Sequence, residues 1–211
     1  MKKLVIFDLD GTILDTTENL KTCMNKALKE NGFKPISYNQ TRAFVGNGAY
    51  LFALRACANE EKAPAVFNSF LEIYKDNLLT DVTPFNGVKE LFCALKNQSV
   101  KLAVFSNKPH FATVKLCEHF FANTFDFILG KKDENPTKPN PFGLNLILQI
   151  LNVNANDCIL IGDGETDAQT AMHASVDFIG ALWGLRSIDQ LKLGGAKVFA
   201  KKPQDLINLI K

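Results

Sequence analysis

The pattern of hydrophobic positions changes along the chain, and its first feature is a short apolar run. Residues 4–7 are all apolar and are followed by Asp8 and, two positions later, by Asp10-Gly11. A continuous apolar run that ends in an acid and a glycine is typical of a strand buried on both faces of a parallel sheet. The pattern therefore predicts a first strand that ends in an acidic turn.

A helical pattern follows from about Thr16 to Asp81. Apolar residues recur at helical spacing in three predicted helices: one ending at Asn31-Gly32, one after Gly46-Asn47-Gly48, and one over residues 66–78. Asp15 and Glu18, three positions apart, have the form of a capping box that opens the first helix. We find no convincing strand here and interpret the segment as an all-helical insertion.

Beyond residue 81, strands and helices alternate. The predicted strands are 102–105, 125–129, 158–161, 177–182 and 197–199, and the predicted helices are 88–95, 112–121, 141–151, 166–174 and 203–210. Such alternation indicates right-handed crossovers and a parallel sheet covered on both faces. We expect an α/β, Rossmann-like parallel sheet core (residues 1–15 and 82–211) with a small all-helical cap (16–81) inserted after the first strand.

Polar side chains collect where the predicted strands end. These positions are Asp8 and Asp10, Ser106-Asn107-Lys108, Lys138 in a proline-rich loop, and Asp163 and Asp167. In open parallel sheets, ligands bind outside the carboxyl ends of the strands. Acids combined with a lysine and a hydroxyl are suited to a divalent cation and a phosphate.

Each of these residues also has an ordinary structural explanation. Ser106 could cap the following helix, Asp163 and Asp167 could be favourable charges at a helix N-terminus, and Lys138 could be a surface lysine. These explanations do not account for all the groups occurring together at strand ends. We therefore interpret the set as one site.

The predicted chemistry follows from charge. A phosphate dianion repels a carboxylate nucleophile unless a cation lies between them, and Mg²⁺ prefers oxygen ligands. Asp8 is the predicted nucleophile, which would form an aspartyl-phosphate, and Asp10 is the predicted acid and base. The predicted phosphate-binding residues are Ser106, Asn107 and Lys138. The predicted metal-ligating residues are Asp8, Asp10, Asp163 and Asp167.

These motifs resemble those of a known family. Asp8-Leu9-Asp10-Gly11-Thr12, then Ser106, then Lys138 before a proline, and then residues 162–167 are similar in order and spacing to the motifs of the haloacid dehalogenase-like hydrolases. The subgroup that the chain resembles is the phosphoglycolate phosphatase-like enzymes, through Ser106-Asn107-Lys108-Pro109, Gly46-Asn47-Gly48 and Trp183-Gly184.

The resemblance implies magnesium-dependent hydrolysis of a small phosphorylated metabolite, with 2-phosphoglycolate as a candidate, and metal ligation by the backbone carbonyl of Asp10. Two positions differ from the usual pattern: Thr16 stands where serine is common, and Ala174-Ser175 replaces Ala-Gly. We expect neither to affect the proposed chemistry.

Phe44, Tyr50 and Arg55 could contact the leaving group, although helical apolar residues are more often core.

Other functions fit the residues less well. A dinucleotide site is disfavoured because Asp167 replaces the third glycine of the fingerprint. A non-enzymatic phospho-receiver lacks both a cap and an acid at the position of Asp10, and a dehalogenase needs no phosphate site. A phosphomutase of the same superfamily and a non-enzymatic phospho-receiver protein stay open as alternatives.

Composition limits the partners and the location. Of 211 residues, 46% are hydrophobic, the net charge is +2, and basic residues are scattered, so neither nucleic acid nor a membrane surface is an expected partner. The N-terminal apolar run is too short for a secretion signal, and we expect a cytoplasmic protein, monomeric or homodimeric. The five cysteines are expected to be mostly buried free thiols.

Overall fold

The structure is a computed structural model that describes residues 2–210, and its centre is a six-stranded sheet. The strands are β1 (Leu4–Phe7), β4 (Lys101–Pro109), β5 (Phe127–Lys131), β6 (Cys158–Gly162), β7 (Asp177–Ala181) and β8 (Val198–Ala200). Their order across the sheet is β5-β4-β1-β6-β7-β8, and each neighbouring pair is parallel. The first strand thus lies in the middle of the sheet, as its apolar sequence predicts.

Helices cover the sheet on both faces. They are α5 (Val88–Asn97), α6 (His110–Phe120), α7 (Phe142–Leu151), α8 (Glu165–His173), α9 (Ile188–Leu193) and α10 (Leu206–Leu209), with 3-10 turns at Ala155–Asp157 and Pro203–Asp205. Val5 and Phe7 pack in one hydrophobic cluster, whereas Leu4 and Ile6 pack in another on the opposite face. The predicted α/β, Rossmann-like fold is confirmed.

Four helices form a separate layer between two short strands. The helices are α1 (Thr17–Glu30), α2 (Tyr38–Phe44), α3 (Ala49–Cys57) and α4 (Ala63–Asp76), and the strands are β2 (Leu14–Asp15) and β3 (Thr83–Pro84). The two strands pair antiparallel, and most of the buried residues of a third hydrophobic cluster come from the helices between them. The chain enters and leaves this helical layer through the two-stranded ribbon of β2 and β3.

Two predictions about helices differ from the structure. Asp15 does not cap α1: its Oδ1 instead accepts a hydrogen bond from the Thr17 N–H at 3.2 Å, which is a local turn. The helix predicted over residues 203–210 is a 3-10 turn followed by one turn of α-helix. Helices α2 and α9 were not predicted, because each is short.

The cysteines are free thiols, and most of them are buried. All five cysteines are free, and all except Cys93 are buried. Over residues 2–210, every helix falls short of the length and hydrophobicity that crossing a bilayer requires.

Candidate active site

Asp8 and Asp10 lie just beyond the carboxyl end of β1, in the middle of the sheet. The Asp8 N–H donates to the Ile161 carbonyl of β6 at 2.9 Å, so the ladder fixes the backbone of this carboxylate. Gly11 has φ +82°, and a Cβ at this position would lie 2.3 Å from Asp163 Oδ2. The glycine of the first motif is therefore needed both for the turn and for the close approach of Asp163.

Lys138 is buried between two carboxylates. Its Nζ lies 2.9 Å from Asp8 Oδ1 and 2.6 Å from Asp167 Oδ1, and it donates to the Phe105 carbonyl at 3.0 Å. Burial alone would lower the pKa of Lys138, but the charges of Asp167 and Asp8 outweigh burial and raise it above the usual value. The surface explanation for this lysine is thus wrong, because it is 3% exposed.

Three buried carboxylates surround one small space. Oxygens of Asp8, Asp163 and Asp167 all lie within 4.8 Å of one another. Asp163 accepts hydrogen bonds from the Thr12 hydroxyl at 2.8 Å and the Leu185 N–H at 2.7 Å, so its orientation is fixed.

Burial and mutual repulsion disfavour the charged forms of these acids. Burial raises the pKa of Asp8 to about 6, with Lys138 opposing the shift and Asp167 adding to it. Burial, followed by the charges of Asp8 and Asp167, raises the pKa of Asp163 to about 7. One lysine therefore does not balance three acids in this space.

The residues present fit a divalent cation. Although Lys138 is 2.9 Å away, Oδ1 of Asp8 receives no hydrogen bond of acceptable geometry within residues 2–210, so a buried carboxylate oxygen is left without a donor. Carboxylate oxygens are the ligands that Mg²⁺ prefers. The acidic cluster of Asp8, Asp163 and Asp167 can therefore hold a metal ion.

The side chain of Asp10 lies outside the acidic cluster. Its oxygens accept hydrogen bonds from Lys108 Nζ at 2.8 and 2.9 Å, and its Oδ1 also accepts one from the Thr16 hydroxyl at 2.7 Å. Thr16 thus contacts the Asp10 side chain through its hydroxyl group, which serine at this position would also supply. Sequence reasoning assigned no role to Lys108. The apolar pattern predicts that this strand ends at residue 105, so it gave only a weak signal for Lys108. In the structure, β4 continues to Pro109, and this extension brings the lysine to the site.

Ser106 and Asn107 complete the edge of the site. Ser106 lies in β4, and α6 begins only at His110, so Ser106 does not cap that helix. The Asn107 amide donates to the carbonyls of Gly46 at 3.0 Å and Lys138 at 3.2 Å, and its Oδ1 accepts from the Lys138 N–H at 2.7 Å. This side chain ties the strand to the helical layer and to the lysine loop.

A cavity of about 40 Å³ lies between the sheet edge and the helical layer. Its lining residues are Asp8, Asp10, Leu20, Val45, Gly46, Gly48, Ala49, Phe52, Phe70, Tyr74, Ser106, Asn107, Lys108 and Pro109. Phe44, Tyr50 and Arg55 are not among them, and Arg55 instead bonds to the Phe44 carbonyl and to Asn47. The helical side of this cavity is thus lined mostly by apolar side chains.

Comparisons with known proteins agree with this geometry. The sequence model of the haloacid dehalogenase-like hydrolases matches residues 5–181. The chain belongs to this family. It is 31% identical to a phosphoglycolate phosphatase of Pseudomonas putida over 194 residues, which cover 87% of this chain and 71% of that protein. It is 30% identical to a phosphoglycolate phosphatase of Rhodospirillum rubrum over 210 residues, which cover 94% and 87%.

A solved structure has the same fold. It comes from Lactobacillus delbrueckii subsp. bulgaricus and is provisionally named a phosphoglycolate phosphatase. The TM-score is 0.93 at 32% identity, and the match covers 100% of this chain and 99% of that one. The chain is thus a haloacid dehalogenase-like hydrolase of the phosphoglycolate phosphatase-like type, and the resemblance found in the sequence is confirmed.

Proposed function

We propose that this protein is a Mg²⁺-dependent phosphatase that hydrolyses a small phosphomonoester through an aspartyl-phosphate on Asp8. The observation that carries the proposal is the position of Asp8, which is 8% exposed, lies at the cavity and is flanked by Lys138 and the acidic cluster. The names of the relatives make 2-phosphoglycolate the first substrate to test.

Asp8, Asp163 and Asp167 would hold the metal ion, with the backbone carbonyl of Asp10 as a further ligand. Bound there, Mg²⁺ would reduce the repulsion between the phosphate dianion and the Asp8 carboxylate. Asp167 also pairs with Lys138, so its second role would be to hold that lysine in place.

Asp8 would attack phosphorus, and the bond from phosphorus to the ester oxygen would break. The Lys138 ammonium and the Ser106 hydroxyl would bind phosphoryl oxygens and offset their charge. The Asn107 amide is used by backbone groups, so its contribution to phosphate binding would come from its main-chain N–H.

Asp10 would transfer protons. It would protonate the departing alkoxide oxygen and then accept a proton from the water that attacks the aspartyl-phosphate. Its position supports this role, because it lines the same cavity as Asp8 while Lys108 and Thr16 hold its side chain away from the acidic cluster.

Residues 16–81 would act as a cap over the core formed by residues 1–15 and 82–211. The ribbon of β2 and β3 would be the hinge, and closure would exclude water until the leaving group departs. The leaving group would lie in the cavity between the two layers.

The test is phosphate release from a panel of small phosphomonoesters, 2-phosphoglycolate included, by wild type and Asp10→Asn, with Mg²⁺ and with a chelator. We expect turnover that needs the metal and falls at least ~100-fold in the variant. Phosphorylation of wild type without turnover would support a receiver, and activity only with a bisphosphate activator would support a phosphomutase.

A further inference from the structure

Tyr74 is an unusual core tyrosine. It lies on α4, is 1% exposed, and its ring stacks on Phe70 with centroids 5.2 Å apart. Within residues 2–210, its hydroxyl oxygen has no hydrogen bond of acceptable geometry, although the Lys108 ammonium lies close enough to lower the pKa of the hydroxyl against the rise that burial causes. A buried polar group without a partner is unfavourable and rare in folded proteins, so this hydroxyl calls for an explanation.

The hydroxyl belongs to a side chain that lines the cavity over Asp8 and Asp10. The Lys108 ammonium lies 5.0 Å from the centroid of the Tyr74 ring. An ammonium has three N–H donors, and the hydrogen bonds to the Asp10 oxygens account for two of them. Two donor groups, one from the helical layer and one from the sheet, thus border the same space.

The rest of the helical side of this cavity is apolar. Among the described residues 16–81 that line it, the other side chains are those of Leu20, Val45, Ala49, Phe52 and Phe70, and two glycines add none. Tyr74 therefore offers the one polar side-chain atom on that side. Burial raises the pKa of Tyr74 to about 12, so the hydroxyl keeps its proton at neutral pH and can donate.

We infer that the Tyr74 hydroxyl, together with the Lys108 ammonium, binds a carboxylate on the leaving group and makes the enzyme prefer phosphorylated hydroxy acids over uncharged esters of equal size. A carboxylate matches two donors because it only accepts hydrogen bonds. Tyr74 is thus a specificity residue. The inference rests on the proposed function, because it assumes that the phosphate binds at Asp8.

The test compares wild type with Tyr74→Phe, which keeps the ring and its stacking and removes only the hydroxyl. The substrates are 2-phosphoglycolate and ethyl phosphate, which have the same number of carbons. We expect kcat/KM for 2-phosphoglycolate to fall about 10- to 100-fold, mainly through KM, and that for ethyl phosphate to change less than ~2-fold. Tyr50→Phe is the matched control, because Tyr50 lies on α3 outside this cavity and is 43% exposed.

A merely structural role predicts a different result. The melting temperature of Tyr74→Phe should equal or exceed that of wild type, because the hydroxyl has no hydrogen bond of acceptable geometry to lose. Equal changes in kcat/KM for both substrates would overturn the inference and leave the proposed phosphatase activity intact. If wild type hydrolyses neither ester, the proposed function fails and the inference fails with it.

Inhibition of wild type gives a second measurement that needs no variant. We expect glycolate to inhibit competitively and ethanol at the same concentration to have no effect. Inorganic phosphate is the control, because it would bind at the proposed phosphate position beside Asp8. In Tyr74→Phe, glycolate inhibition should weaken about 10-fold or more and phosphate inhibition should stay unchanged. Absence of glycolate inhibition in wild type would overturn the inference.

Discussion

At the scale of single residues, the site is a balance of buried charges. Lys138 pairs with both Asp8 and Asp167, and Lys108 pairs with Asp10. A buried charge is tolerated when it is paired, and removing the partner leaves it uncompensated. The acidic cluster exceeds its lysine in charge, which is why the residues fit a cation.

This excess of acid predicts how stability depends on pH in the metal-free protein. The folded-state pKa values of about 6 for Asp8 and about 7 for Asp163 both lie above 3.8, the ordinary pKa of an aspartic acid, which represents the unfolded chain. At pH values between about 4 and 7, the folded protein therefore binds more protons than the unfolded chain. Its free energy of unfolding should fall by several kcal/mol as pH rises from 4 to about 7.

Urea unfolding at pH 5, 6, 7 and 8 with a chelator measures this dependence. Asp163→Asn is the matched variant, and it should show a shallower decrease because one of the two shifted groups is gone. Stability that rises with pH across this window in the wild-type protein would contradict the prediction.

At the scale of elements, capping chemistry explains the two helices that periodicity missed. Ser37 is the N-cap residue of α2, with Gln40 in the third helical position, and Ser187 is the N-cap residue of α9, with Gln190 in the same position. In each, side chain and backbone exchange hydrogen bonds in a capping box. Seven and six residues are too few for a hydrophobic period, but the Ser-x-x-Gln signal was present in the sequence.

The cap of α2 can be tested by substitution. Ser37→Ala removes the acceptor for the Gln40 N–H and should destabilise the protein by about 1 kcal/mol, measured by urea unfolding. Ser37→Gly is the control, because glycine at this position costs only a few tenths of a kcal/mol. Equal losses in the two variants would indicate that the serine hydroxyl is not the stabilising group.

At the scale of the whole molecule, two arginines join the helical layer to the sheet. Arg186 donates to the carbonyls of Arg42 and Val45, and Arg42 in turn donates to the carbonyls of Gly184 and Leu185 at 2.8 and 3.1 Å. These bonds link α2 and the residue after it to the segment that follows β7. They hold the two layers in the arrangement that the structure shows.

Removing this link should loosen the closed state. In Arg186→Met, we expect KM for the hydrolysed phosphomonoester to rise ~3- to 10-fold, because part of the binding energy must then close the layers. Steady-state kinetics measures the change. Arg55→Met is the control, since the bonds of Arg55 stay within the helical layer, and an equal rise in KM in both variants would contradict the link.

The sequence by itself determined the alternation of strands and helices and the order of the motifs. Both are local properties, and parallel strands bring their carboxyl ends to one edge, so Asp8, Ser106, Lys138 and Asp163 could be placed together in advance. The division into core and cap, and the chemical roles of these residues, stay predictions.

Only the tertiary structure decided which partner each side chain meets. Lys108 reaches Asp10 across 98 positions of sequence, and Tyr74 comes from the helical layer to the cavity over Asp8. Such contacts depend on how two layers pack, and no period or motif in the sequence encodes the distance between them. The packing of the two layers therefore decides which side chains line the site.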